Sequence, residues 1–245
     1  MEKKAIIRTY ALSCFDDVKT IVFLDNAKNA GNEVTDCSFN DDMSVISWRD
    51  QNDPNILYVA PTIGNKIYIV KRATSLFYNS QYLEEIRGIE VLDTSETTDM
   101  CAMFCGCRSL VSLDLSSFDT RNVANMCAMF SGCHNLKAIN VSNFDTSNVK
   151  NMSYMFRNCW NLTNVDLSNF NTENVQSMEQ MFYCCDALQK LDISNFNFSN
   201  IIDMSYMLKN CKSLMHLNLP NMKYEDVQNM IVGLDNKLCW ECKAE

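Results

Sequence analysis

The sequence is poor in glycine and proline, with six and three residues in 245, so it leaves little room for disordered linkers between domains. It also lacks a basic excess. Its 21 Lys and Arg stand against 30 Asp and Glu, giving a net charge of −9 and a pI near 4.8, without the basic stripe that a phosphate backbone demands. Nucleic acid is therefore not the expected partner. Histidine is scarce as well, since His134 and His216 are the only two, and without a paired acid, a nucleophile or a third ligand neither makes a catalytic set. No apolar run is long enough to span a bilayer, so no transmembrane segment is expected. Residues 1–14, MEKKAIIRTYALSC, set Lys3 and Lys4 before apolar residues and Cys14 after Ala11-Leu12-Ser13. Arg8 interrupts that run, which is shorter than the ~7–15 apolar residues of an export signal. No convincing leader is read there, and the location of the protein stays open.

What the sequence has in abundance is repetition. LDLSSFDTRNVANMCAMFSGCHNLKA, from Leu113 to Ala138, returns at a constant shift of 26 as INVSNFDTSNVKNMSYMFRNCWNLTN, VDLSNFNTENVQSMEQMFYCCDALQK and LDISNFNFSNIIDMSYMLKNCKSLMH. A fixed period of this length marks a solenoid, in which each rung fills the same slots as its neighbour. The apolar columns include Met126, Met152, Met178 and Met204; Phe104, Phe130, Phe156 and Phe182; and Phe118, Phe144, Phe170 and Phe196. Within one rung Met152, Met155, Phe156 and Cys159 fall at i, i+3, i+4 and i+7, which predicts a helix of about two turns. Asn151 precedes it in a capping position shared with Asp99, Asn125, Asp203 and Asn229. Leu162-Thr163-Asn164-Val165-Asp166-Leu167 has the L-x-x-L-x-L spacing of a leucine-rich-repeat strand. The expected fold class is thus α/β: a leucine-rich-repeat solenoid with strand, turn and short helix in each rung.

Cys107, Cys133, Cys159, Cys185 and Cys211 form one column, read as buried thiols acting as small hydrophobes. The Met-x-x-Met pairs are likewise core filling, so no metal and no cofactor is expected. Asn122, Asn148, Asn174 and Asn200 read as a ladder bonding the backbone of the turns. Cys239-x-x-Cys242 has no second pair to complete a zinc site. Cys101, Cys105 and Cys127 form a second thiol cluster, with Cys101 and Cys127 in one column.

The run L-D-L-S-x-F-D-T-x-N-V-x-N-M-x-x-M-F-x-x-C-x-x-L, from Leu113 to Leu136 and again from Ile139, Val165 and Leu191, resembles the bacterial BspA-like leucine-rich repeat surface proteins. The resemblance covers about residues 73–232. It implies surface display or secretion, an adhesive or protein-recognition role with a host or extracellular protein as partner, and no catalytic residues.

In chain order, β-branched and aromatic runs at 20–24, 44–48, 55–59 and 66–70 predict a small β-rich cap over residues 1–72 that covers the apolar end of the first rung. Residues 73–232 form the repeats. The first rung, Ser75 to Ile86, matches Ala102 to Leu113 at an offset of 27. Residues 233–245 close the stack. Recognition is expected on the exposed side of the strands, at Asp114, Asn140, Asp166, Asp192, His216 and Asn218. The leading expectation is a non-enzymatic protein-recognition module. The alternative is a thiol-based metal-binding or redox-responsive protein working through Cys101, Cys105, Cys127, Cys239 and Cys242.

Overall fold

The computed structural model describes residues 3–13, 15, 17–31, 33–222, 224–234 and 239–242. Among them the chain is mostly β, in short strands, with one 3-10 segment and one α-helix. The alternating run TIVF forms β1 (Thr20–Phe23), with Ile21 and Phe23 turned inward. It lies in a five-stranded sheet with β2 (Thr35–Asp36), β3 (Val45–Arg49), β4 (Ile56–Pro61) and a later strand, Glu85–Arg87, in the order β2, β3, β4, β1 and that strand. β3 and β4 make an antiparallel hairpin whose turn is held by Asp50 and Asp53 accepting backbone N–H bonds. β1 runs parallel to β4 and to Glu85–Arg87. β3 is covered on both faces: Val45 joins the main core, whereas Ile46 and Trp48 form a small second core with Ala60 under residues 24–34.

Short parallel pairs then lead into the repeats. β5 (Ile67–Tyr68) pairs with Leu92–Asp93, and β6 (Lys71–Arg72) with Thr97–Asp99. These partners, taken with Glu85–Arg87, are β7 (Glu85–Arg87), β8 (Leu92–Asp93) and β9 (Thr97–Asp99). Gly88, just past β7, adopts φ +69°, and a Cβ there would sit 2.2 Å from the Phe23 carbonyl oxygen, so only glycine fits.

From β9 onward successive repeats pair in parallel register in short, separate sheets, and the strand expected over 162–167 is not formed. β10 (Ser112–Asp114) pairs with β11 (Ala138–Asn140), and β12 (Lys190–Asp192) with β13 (His216–Leu219), each displaced by one full repeat; β13 in turn pairs with β14 (Cys239–Cys242). A second line of parallel bridges runs Asp99, Asn125, Asn151, Ser177, Asp203. The columns follow the register. Phe104, Phe130, Phe156 and Phe182 are fully buried with ring centroids 5.4–5.7 Å apart, and Phe77 continues the stack at 4.9 Å. The first rung keeps its extra residue. The step from the Phe77 N–H to the carbonyl of Met103 is one residue longer than the step from the Phe104 N–H to that of Met129.

The short helix expected in every rung is not formed. Ala128 and Gly132 have φ of +53° and +73°, and the equivalents Ala102, Tyr154, Gln180, Tyr206 and Gly106, Asn158, Cys184, Asn210 repeat the left-handed geometry. An α-helix needs negative φ throughout and an N–H bond to the fourth residue back. Here alternate amides do two different things. The N–H groups of Met129, Ser131 and Cys133 close turns onto Met126, Ala128 and Phe130, three residues back, while those of Met126, Ala128, Phe130 and Gly132 donate to Asn151, Ser153, Met155 and Arg157 of the next rung. Successive turns of this kind bring residues i, i+3, i+4 and i+7 inward as a helix would, so the apolar spacing did not distinguish them. The residues read as helix caps serve these turns instead: Asn125 and Asn151 accept the N–H bonds of Cys127 and Ser153. The one helix, α1 (Tyr224–Ile231), stands in the last, degenerate rung, with Val227 and Met230 in the core.

Candidate functional site

The described surface of the stacked rungs has a strand side and a turn side, and the two are built differently. On the strand side Leu113, Leu191 and Leu217 point inward, which turns the residues beside them outward. Five of the six expected site residues, Asp114, Asn140, Asp166, Asp192 and Asn218, stand one repeat apart in one line, and His216 lies in the neighbouring column with Lys190. Asp114 is opposite Asn140, and Lys190 and Asp192 are opposite His216 and Asn218. Asp114, Asp166, Asp192 and His216 are exposed, while Asn140 and Asn218 are half-buried.

The carboxylates and amides of that line are engaged. Asp114, Asp166 and Asp192 each accept the backbone N–H two residues on, from Ser116, Ser168 and Ser194, at 3.0 Å. Asn140 accepts from Ser142, and the side chains of Asn140 and Asn218 donate to Asp114 and Asp192 at 2.9 Å. The backbone N–H of Ser116 and of Ser168 holds the carboxyls of Asp114 and Asp166 below their usual range. These side chains shape the bend after each strand. Beside them Ser112, Ala138, Asn164, Lys190 and His216 are exposed and differ from rung to rung.

Two further ladders clasp the rungs. Thr120, Thr146 and Thr172, buried, donate to the carbonyls of Asp145, Asn171 and Asn197 and accept the N–H of the same residues, all at 2.7–3.0 Å. The threonine ladder was not read from the sequence, although an unvaried threonine at one position of four rungs was its signal. The asparagine ladder is present: Asn122, Asn148, Asn174 and Asn200 donate to the carbonyls of Ser95, Arg121, Ser147 and Glu173 of the preceding rung at 2.7–2.8 Å.

The turn side carries three columns whose residues change along the stack. One reads Tyr78, Cys105, Ser131, Arg157, Tyr183, Lys209; a second Ala102, Ala128, Tyr154, Gln180, Tyr206; a third Cys101, Cys127, Ser153, Glu179, Ser205. The side therefore passes from small residues and thiols to aromatic and charged ones. Arg157 lies over the rings of Tyr154 and Tyr183, 5.6 and 5.4 Å from their centroids, and its buried Nε has no hydrogen-bond partner among the described residues. Tyr154 donates its hydroxyl to Glu179, and this bond pushes the phenol up to about 12. Lys209 stands over Tyr206 at 4.8 Å. Sequence reasoning missed this surface because it assigned these positions to helices.

The cysteines divide by depth. Cys107, Cys133, Cys159, Cys185 and Cys211 are buried, and their thiols donate to the carbonyls of Phe77, Phe104, Phe130, Phe156 and Phe182 at 3.1–3.2 Å. Burial pushes all five far up, Cys211 to about 12. Cys37 is buried as well, and Cys101, Cys105, Cys127 and Cys184 are partly exposed. Cys14 and the side chains of Cys239 and Cys242 lie outside the described residues. His134 stacks on the half-exposed Trp160 at 3.7 Å, far in sequence from His216, and burial lowers its pKa. Among the described residues no three His, Cys, Asp or Glu converge as metal ligands, and no helix is long and apolar enough to cross a membrane. A cleft of about 740 Å³ lies off the repeats, between Phe15, Glu33, Trp48 and Gln51, where Arg49 pairs with Asp17.

No curated protein matches the chain. Among solved structures it is similar to a leucine-rich repeat protein from Bacteroides ovatus ATCC 8483, with 16% identity over 64% of this chain and a TM-score of 0.20, too low to argue from. The match spans 56% of that protein's chain. A family model does match, over residues 71–190 and again over 133–237, two overlapping segments that take in every column described above. The chain belongs to the family described as Mycoplasma protein of unknown function, DUF285.

Proposed function

We propose that the chain is a non-enzymatic recognition module: a solenoid over residues 73–232, capped by residues 1–72 and closed by 233–245, that binds another protein across its turn side. One observation carries this reading. The threonine and asparagine positions that clasp the rungs repeat the same residue, as at Thr120, Thr146 and Thr172 and at Asn122, Asn148 and Asn174, whereas Arg157, Tyr183 and Lys209 stand in a column that changes at every step and Tyr206 in one that changes from Ala128 onward. Tyrosine and arginine are also the side chains that most often dominate binding energy at protein interfaces. The likeness of the repeats to BspA-like surface proteins supports a host or extracellular protein as the partner, and an adhesive role.

The test is site-specific photo-crosslinking to a panel of extracellular host proteins, with the reactive group placed at Tyr183 and Tyr206 and, separately, at Lys190 and Asp166. Saturable crosslinks confined to the first pair support the turn side. A second reading puts recognition on the strand side, at Asp114, Asn140, Asp166, Asp192, His216 and Asn218, and the varied column ending in Lys190 and His216 favours it. Crosslinks confined to Lys190 and Asp166 would establish that reading in its place. A catalytic turnover abolished by His216→Ala would overturn both.

A further inference from the structure

Two kinds of thiol occur on the same rungs, and only one kind can meet a reagent. The buried column is closed off by packing and by its bonds to phenylalanine carbonyls. Cys101 and Cys127 stand outward on adjacent rungs. The backbone sets them side by side. Asp99 pairs with Asn125 just before them, the Met100 and Ala102 N–H groups donate to the carbonyls of Asn125 and Cys127 at 2.9 and 2.8 Å, and Asp99 and Asn125 hold the N–H groups of Cys101 and Cys127 through matching turns. Neighbouring parallel rungs are ~4.8 Å apart, inside the ~4.4–6.8 Å Cα separation that a disulfide spans. The two thiols are close enough to shift each other's ionisation, Cys101 downward and Cys127 upward. Ala102, Ala128 and Ser131 are small neighbours in the adjoining columns, and both thiols are partly exposed.

We propose that Cys101 and Cys127 are an oxidisable thiol pair, a modification site at which a peroxide closes a disulfide between adjacent rungs. The chemistry balances in two steps. The Cys101 thiolate attacks one peroxide oxygen, the O–O bond breaks, hydroxide leaves, and Cys101 becomes a sulfenic acid. The Cys127 sulfur then attacks the Cys101 sulfur, the S–O bond breaks, and water leaves with the Cys127 proton. Two thiols lose two electrons in all, and the peroxide is reduced to two waters. Cys101 is the attacking member, because the neighbouring Cys127, helped by Asn125, holds it at about 7 despite burial and the charge of Asp99. Cys127 and Cys105 are both pushed up, Cys127 by Cys101 and Cys105 by burial.

The test uses the reduced full chain, hydrogen peroxide, and mass spectrometry of unreduced peptides. The first disulfide to form joins Cys101 to Cys127, dithiothreitol reopens it, and iodoacetamide labels Cys101 about tenfold faster than Cys105 at neutral pH. The labelling rate rises through a midpoint near 7, set by the groups that face Cys101: Asp99 and Cys105 on its own rung, and Asn125 and Cys127 on the next. Cys127→Ser leaves Cys101 as a sulfenic acid that a 1,3-diketone traps, and Cys101→Ser leaves Cys127 unoxidised by the same dose. Serine is compatible with the position, since Ser153 fills that column two rungs after Cys101. A first disulfide elsewhere, equal labelling of Cys101 and Cys105, or no trapped sulfenic acid in Cys127→Ser would each overturn the assignment.

Discussion

The strand side and the turn side of a rung solve the same stacking problem with different groups. On the strand side the exposed Asp114, Asp166 and Asp192 bond the chain's own amides two residues on, so side chains make the bends. On the turn side the backbone itself alternates, one amide closing a turn and the next reaching the following rung. Asp99, Asn125, Asn151 and Asp203 open each run of turns by accepting the N–H two residues on, and the residues of the varied columns that follow leave the turn bonds to the backbone. The difference teaches that freedom to vary comes from where the amide bonds are made, since a position whose backbone does the bonding can carry Ala128, Tyr154 or Gln180 alike.

The comparison can be broken most severely through the core that both sides share. Phe130→Ala removes a fully buried ring stacked on two others, and a loss of about 3–5 kcal/mol is expected in urea unfolding. Thr146→Val acts at the seam between the sides, where the hydroxyl both donates to and accepts from Asn171. Leaving those buried groups unpaired should cost about 1–3 kcal/mol, read as a lower urea midpoint at unchanged slope. On the turn side alone, Ala128→Gly relieves a left-handed residue and should raise stability by about 0.5–1 kcal/mol, whereas Gly132→Ala imposes one and should lower it by about 1 kcal/mol.

The strand side should answer least to mutation and most to acid. Asp166→Ala removes one turn bond and is expected to cost about 0.5–1 kcal/mol. The folded pKa values of Asp114 and Asp166 lie below those of the unfolded chain. Their stabilisation is therefore complete above the unfolded value, near pH 4, and is lost as pH falls through the folded values. Thermal unfolding of the parent and of Asp166→Ala at pH 7 and pH 3 should show the gap between them narrowing in acid.

The sequence made some of this legible. Phe104 to Phe182, Cys107 to Cys211 and Asn122 to Asn200 could be read because a repeat prints the same residue wherever the packing or the bond is the same. The offset of 27 in the first rung was visible for the same reason, and it reappears as one extra residue between the Phe77 amide and its acceptor. The helices were misread at Met152, Met155, Phe156 and Cys159, because side-chain spacing reports which residues face inward and says nothing of where the amides go. The positive φ at Ala128, Tyr154 and Gln180 has no sequence mark, since none of these is the glycine or asparagine that usually announces it. The strand-side residues were located from L-x-x-L-x-L, but the bonds that engage Asp114 and Asn140 were not, and the turn-side surface of Arg157 and Tyr183 lay behind the mistaken helices.

The three side-chain ladders reach fixed distances along the chain: cysteine 29 residues back, or 30 in the first rung, asparagine 27 back and threonine 25 forward. Every such clasp returns to itself when one whole repeat is removed or inserted, and none does when any fraction of it is. The molecule can therefore be lengthened or shortened only in complete steps, as a chain is by links, and its reach is a quantity that changes by counting.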